Sequence, residues 1–494
     1  MITDMKAIYN FLTLVFVSCC ITATLASCED FTDIQPKGEN LLASTDDLEL
    51  LLNADAYDGI YSMDHWRIGS NIIYAYSDVT APLAVENKTR AALLNGYFDD
   101  EQSLKRLASL TNRDGLYTSC YNIIGRVCNP ILNQLETATG PESKKNALKA
   151  EALVARAFCH YMVLQRFAPA FNGSNGDSPA IIYMTEDKDI MQLHEKNTIQ
   201  ECYDQMLKDV NDALAMNSLP SKAANFMRWD QTSALAVKAL ILMGMHNYAE
   251  AETAAKQVLA NNNSLWDWWA NVQDGMSATG VPYQYAAIDD RFNAETLFCI
   301  PSMIYYAWVE PSEWNAMEPE YGRRGLSNTM RKQYEGYIYY GMDYGDYGAT
   351  IGLPGWEGSM DFDNQFNESG LNTPQMYLIV AECELRNGNI ATAMNWLDQL
   401  RAKRLPEGFS PLEGTVTEKA DAIQWLKKTV AAEFLWQDWT FVWRKRWNVE
   451  SEWQTTLSHE IAGKTYTLRP DSKLWIFPFP LNAVEVNPNL THNW

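Results

Sequence analysis

Apolar positions along most of this chain recur with the 3.6-residue period of helices. From Lys149 to Phe167, Leu153, Ala157, Tyr161 and Leu164 share one face, with Phe158 beside them, which predicts a helix. Thr198–Met216 and Ala422–Trp439 read the same way. Strand-like alternation is scarce and confined to short pieces such as Tyr466–Leu468. Two stretches also repeat each other. In Ala234–Asn261, Ala239 and Ala251 lie twelve residues apart around a turn at His246-Asn247-Tyr248. In Met376–Arg404, Ala381 and Ala393 show the same spacing around Asn387-Gly388-Asn389. Small residues at those places let two antiparallel helices approach closely, as in tetratricopeptide repeats, although neither first helix carries the Trp of that motif. Helical repeats are therefore expected at about 145–262 and 373–447.

The period breaks over 264–348, where Gly, Pro, Asn and aromatic residues take over. Trp266, Trp268, Trp269, Trp308, Trp314 and Tyr321 all fall there. A long aperiodic stretch of this kind is a functional loop assembly more often than a linker, and it is too aromatic for disorder. A smaller patch at 57–83 carries His65, Trp66, Tyr74 and Tyr76. The expected architecture is all-α: a helical hairpin scaffold bearing two loop-rich aromatic regions.

Charge narrows the partners. The 494 residues hold 39 Lys+Arg against 62 Asp+Glu, a formal charge of −23. Nucleic acid and anionic lipid surfaces both call for a basic face, so neither is expected. At the start of the chain, Lys6 precedes an apolar run from Ile8 to Val17, and small residues lead to Leu25-Ala26-Ser27-Cys28. That is a secretory signal over 1–27 rather than a membrane span, ending in the pattern of a bacterial lipoprotein. Cys28 is then the acylated residue, and acyl chains there tether an otherwise soluble body (28–494, read as one domain) to a membrane. Of the other cysteines, Cys19 and Cys20 leave with the signal. Cys159, Cys202 and Cys383 sit on apolar helical patterns as small core residues. Pairing of Cys120 with Cys128 is left open.

Enzyme signatures fail. The chain has no HExxH, GxSxG, Walker or GxGxxG motif, no CxxC pair, and six scattered histidines of which His160 reads as a packing or cap residue. Asp361, Asp363, Asn364 and Glu368 have part of a calcium-loop pattern but lack the glycine at its sixth place, so no metal or cofactor is expected.

Four features together resemble the SusD/RagB nutrient-binding lipoproteins across nearly the whole chain. They are Cys28 followed by Glu29, Asp30 and Asp33-Ile34-Gln35-Pro36-Lys37-Gly38; Ala150-Glu151-Ala152 with Arg156-Ala157, Tyr161, Leu164 and Phe167; the hairpin ending Leu400-Arg401-Ala402-Lys403-Arg404; and Phe479-Pro480 before Asn487-Pro488-Asn489-Leu490-Thr491-His492-Asn493. The late helix departs from the family's acidic-Gly-x-Arg stretch, reading Gln437, Asp438, Thr440 and Trp443 before Arg444-Lys445-Arg446. Ala168, Ala483 and His492 also replace usual residues, which leaves the local ion pairs open.

The resemblance implies four tetratricopeptide-like units beneath a loop-rich binding face. It also implies an outer-membrane lipoprotein, exposed at the cell surface, that captures oligosaccharides for a SusC-like TonB-dependent transporter. A peptide receptor of the same architecture and a lipid-anchored glycoside hydrolase are the alternatives, with a non-enzyme favoured. Sugars present flat C–H faces edged with hydroxyls, so Trp and Tyr platforms beside polar groups suit them. Trp66 and Tyr74 in the first loop region and Trp308, Trp314 and Tyr321 in the second are the candidate ligand residues. Asn71, Asp78, Glu313, Asn315 and Arg323 are their polar companions.

Overall fold

The computed structural model describes residues 42–53, 68, 72–73, 89–185, 192–276, 282–286, 293–304, 308–322, 324–325, 357–358, 362–461 and 463–494. Cys28, Trp66 and Tyr74 lie outside them. The N-terminal helices are α1 (Thr45–Leu52), α2 (Arg90–Asn95), α3 (Glu101–Leu110), α4 (Gly115–Ile123), α5 (Asn129–Gln134), α6 (Glu142–Phe167) and α7 (Ile199–Ala215). There follow α8 (Gln231–Gly244), α9 (Tyr248–Asn261), α10 (Pro311–Ala316), α11 (Thr373–Arg386), α12 (Ile390–Arg401), α13 (Lys419–Glu433), α14 (Trp439–Trp447) and α15 (Leu481–Val486). The strands are β1 (Ile72–Ile73), β2 (Val272–Met276), β3 (Pro282–Ala286), β4 (Thr296–Phe298), β5 (Pro301–Ile304), β6 (Trp308–Val309), β7 (Glu357–Gly358), β8 (Phe362–Asn367), β9 (Leu371–Asn372), β10 (Leu457–Ile461) and β11 (Lys464–Leu468).

Local chemistry sets the helix starts. Thr198 caps α7: its hydroxyl accepts from the Glu201 N–H while the Glu201 carboxylate accepts from the Thr198 N–H, at 3.2 and 2.9 Å. The pairs Asp230/Ser233 and Asn372/Gln375 do the same for α8 and α11. Helix α6 packs against α1, α4, α5, α7 and α8. Every residue from Ala150 to Phe167 is buried, so this is a central helix buried all round and not one with a single apolar face. His160 stacks on Tyr183 at 3.8 Å inside this layer.

The hairpins α8–α9 and α11–α12 form as expected, and α9 packs on α11, so the two stack. Ala239, Ala251, Ala381 and Ala393 are all fully buried at the close approaches. The helix expected over 422–439 stops at Glu433 instead. Trp436 adopts φ +64° and turns the chain into α14. There the basic cluster finds partners: Arg446 reaches Glu382 at 2.5 Å, Arg444 reaches Glu313 at 2.6 Å, and Lys445 donates to the carbonyls of Gln165 and Ala168 at the end of α6. Asp438 accepts from the Ser369 hydroxyl at 2.6 Å.

The expected strand at Tyr466–Leu468 lies in β11, paired with β10. Within 264–348 the described residues include β2 to β6 and α10, and β4 and β5 pair antiparallel with the later β9 and β8. Cys120, Cys128, Cys159, Cys202, Cys299 and Cys383 are buried and free, so Cys120 and Cys128 do not pair.

Candidate functional site

Three short strands join the two aromatic-rich regions. β6 pairs antiparallel with β1, setting Trp308 opposite Ile73 and Val309 opposite Ile72. On its other edge β6 pairs with β7, with Trp308 opposite Gly358. This backbone pairing joins the chain at Ile73 and at Trp308 across more than 200 positions.

Downstream of β6 the chain turns into the scaffold. The Glu310 carboxylate caps α10, accepting from the N–H groups of Ser312 and Glu313, and Pro311 supplies the first-turn φ. Val309, Trp314, Met317 and Tyr321 then pack against Leu405, Ala431, Ala432, Leu435 and Trp436. Trp314 is 4 % exposed and Tyr321 1 %. The expectation that these two rings offer faces to a ligand is therefore corrected: they are core. Arg324 lies over the Trp314 ring at 5.0 Å and donates to its carbonyl at 2.8 Å. Glu313 is buried too, its carboxylate taken by Arg444, whereas Asn315 is exposed. Asn71, Asp78 and Arg323 lie outside the described residues.

A buried charge centre lies beneath this segment. The Arg404 guanidinium donates to both oxygens of Glu433 (2.8–3.2 Å) and to both oxygens of Glu295 (3.0 and 3.2 Å). Tyr321 donates to Glu433 at 2.9 Å. Burial, reinforced by the Glu433 charge, pushes the Tyr321 phenol well above its ordinary value. Burial also outweighs Arg404 at Glu295 and leaves that carboxyl raised. A cavity touches this centre, lined by Trp268, Glu295, Tyr321, Asn367, Glu433 and Gln437 among others. It has room for a water and not for a sugar ring. Hence it is part of the scaffold and not the ligand site.

Of the calcium-like residues, Asp361 lies outside the described residues and Glu368 is buried. No group of three His, Cys, Asp or Glu side chains among the described residues is arranged to hold a metal. No described helix is long and apolar enough to cross a membrane.

Sequence reasoning missed the arginines. Arg401, Arg404 and Arg444 enter the sequence reading only through the family resemblance, yet each grips the segment after β6. The available signal was the row Glu310, Glu313, Glu318, Glu320 inside an aromatic stretch, which needs cations once the aromatics bury it.

Residues 50–243 match the SusD-like family described as starch-binding and associating with the outer membrane. A SusD superfamily protein from Bacteroides thetaiotaomicron is similar over 91 % of this chain and 100 % of its own, at 16 % identity and TM-score 0.63. Residues 50–243 carry this chain's likeness to the SusD-like family. A SusD superfamily protein from Bacteroides fragilis aligns over 91 % of this chain and all of its own, at 16 % identity and TM-score 0.62. A SusD-like carbohydrate binding protein from Bacteroides vulgatus aligns over 91 % and 97 %, at 14 % identity and TM-score 0.52. No curated protein matches the chain. These likenesses carry the helical-repeat fold.

Proposed function

We propose that this SusD-like protein is a surface lipoprotein of the outer membrane, anchored through Cys28. In this reading it binds oligosaccharides and delivers them to a TonB-dependent transporter. Binding, not catalysis, is its role. The ligand platform is the aromatic set Trp66, Tyr74 and Trp308, without the buried Trp314 and Tyr321. The observation that carries this reading is the β1–β6–β7 sheet, which draws two aromatic-rich regions onto one place of a SusD-like scaffold. The carbohydrate-binding relative supports the ligand class. A tethered chain that binds a nutrient and has no spanning helix among its described residues needs an integral partner to move it inward.

The test is titration of the detergent-solubilised full-length protein with oligosaccharides, followed by Trp308→Ala. Binding should weaken by about tenfold or more while the melting temperature holds, since one ring at the centre of a site accounts for more than about 1 kcal/mol. Wild-type affinity in Trp308→Ala would move the site elsewhere. A wild-type protein that binds peptides and no glycan would transfer the reading to a peptide receptor.

A further inference from the structure

The chain from Trp308 to Gly322 has little to hold it in its own sequence. It is a two-residue strand, a helix of six residues and a turn. Elements that short do not fold alone. Three arginines from the scaffold supply the grip. Arg444 of α14 reaches Glu313 of α10 at 2.6 Å, and these side chains are 12 % and 5 % exposed. Arg401 of α12 binds both oxygens of Glu318 at 2.9 and 2.6 Å. Arg404, just past α12, accepts the Gly322 N–H on its carbonyl at 2.8 Å and engages Glu433, which holds the Tyr321 hydroxyl. Trp269 completes the fastening by donating its indole N–H to the carbonyls of Glu320 and Arg404.

We infer that Arg401, Arg404 and Arg444 act as positioning residues for the ligand platform, holding the Glu313–Gly322 segment so that β6 and Trp308 keep their place between β1 and β7. The inference rests on the ligand site proposed above. Arginine suits the task, because its planar fork fixes a carboxylate in direction as well as distance. The grips are desolvated, so salt screens them little. Their cost is local rather than global, because each ties a short segment to helices that already pack through their own apolar faces.

Two variants loosen the segment. Glu318→Ala leaves Arg401 paired with Asp398 and the Ser410 carbonyl, and Glu313→Ala takes the carboxylate from Arg444, whose side chain is 12 % exposed. In the full-length protein the two together should weaken oligosaccharide binding by about tenfold, the scale of losing one good contact. The reversed pair E313R/R444E should recover affinity to within about twofold of Glu313 and Arg444 in place, the spread expected of context. Arg228→Ala, which breaks a buried pair with Glu151 and Glu49 on other elements, is the control. It should lower the melting temperature and leave affinity unchanged.

Wild-type affinity in E313A/E318A, with Trp308→Ala still impaired, overturns the inference and leaves the ligand site standing. An equal loss of affinity in Arg228→Ala also overturns it, since the effect would then follow general stability. Wild-type affinity in Trp308→Ala removes the site and the inference with it. If the double variant does not fold, Glu318→Ala alone decides, because Arg401 there keeps its other partners.

Discussion

The paired hairpins and the segment after β6 are held in place by different forces. In α8–α9 and α11–α12 the helices meet over alanines that are fully buried, and each chain reversal uses one left-handed residue, His246 at φ +58° and Gly388 at φ +83°. The two helices of each hairpin lie within about thirty residues of sequence. The 308–322 segment is fixed by residues from far along the chain: Glu318 by Arg401, 83 positions away, and Glu313 by Arg444, 131 away. A repeat scaffold can rely on periodic apolar burial, whereas a functional loop freed from periodicity needs specific polar fasteners from that scaffold.

The sharpest way to break this contrast is at Glu382, a charge buried inside a hairpin. Its carboxylate, fully buried in α11, takes Arg446 at 2.5 and 2.6 Å and Arg386 at 2.9 Å. Burial alone would raise this carboxyl. The guanidiniums of Arg446 and Arg386 override it and hold it down to about 2. Glu382→Ala takes the carboxylate from buried Arg446, while Arg386 keeps Glu450, and should destabilise by about 3–5 kcal/mol in denaturant unfolding. Because the folded pKa lies below the ordinary 4.5, the stabilisation is complete above that pH. It is lost as pH falls from there towards 2. The gap between wild type and variant should therefore be constant near neutrality and close in acid. A gap independent of pH would mean the loss is packing and not charge.

On the apolar side, Ala239→Leu inserts three carbons where α8 meets its neighbours, and overpacking of this sort costs about 1–3 kcal/mol. Unfolding should show that loss with oligosaccharide affinity unchanged. If affinity fell with it, the hairpins and the segment after β6 would not be separable.

These two modes of support differ in how far they can be read from sequence. The bounds of α7 were legible to within a residue because Thr198 and Glu201 form a cap and an apolar face follows. The end of α13 was not, because no Gly or Pro marks it; a tryptophan takes the left-handed turn at Trp436. Pairings such as β4 with β9 join strands too short to carry a period and too far apart to suggest each other. At the site, Trp308 and Trp314 look equivalent in composition. Helical spacing does not separate them either, because Met317 and Tyr321, which are buried with Trp314, lie beyond the end of α10. The arginine partners stayed hidden because an ion pair leaves no periodicity in either of the two segments it joins.

The smallest expected effect tests whether burial, and not charge itself, makes these fasteners count. Lys208 and Asp212 on α7 form an ion pair at 2.5 Å, as short as the Arg446–Glu382 contact, but their side chains are 64 % and 51 % exposed. Water already solvates both charges, so closing the pair gains little Coulomb energy and spends side-chain entropy. The i,i+4 spacing on one helix contributes about 0.3–0.5 kcal/mol at most. Lys208→Ala should therefore shift unfolding by no more than that, and added salt should erase the shift. A loss approaching that of Glu382→Ala would show that contact distance alone sets the strength of an ion pair here. The contrast between the scaffold and the segment after β6 would then need another cause.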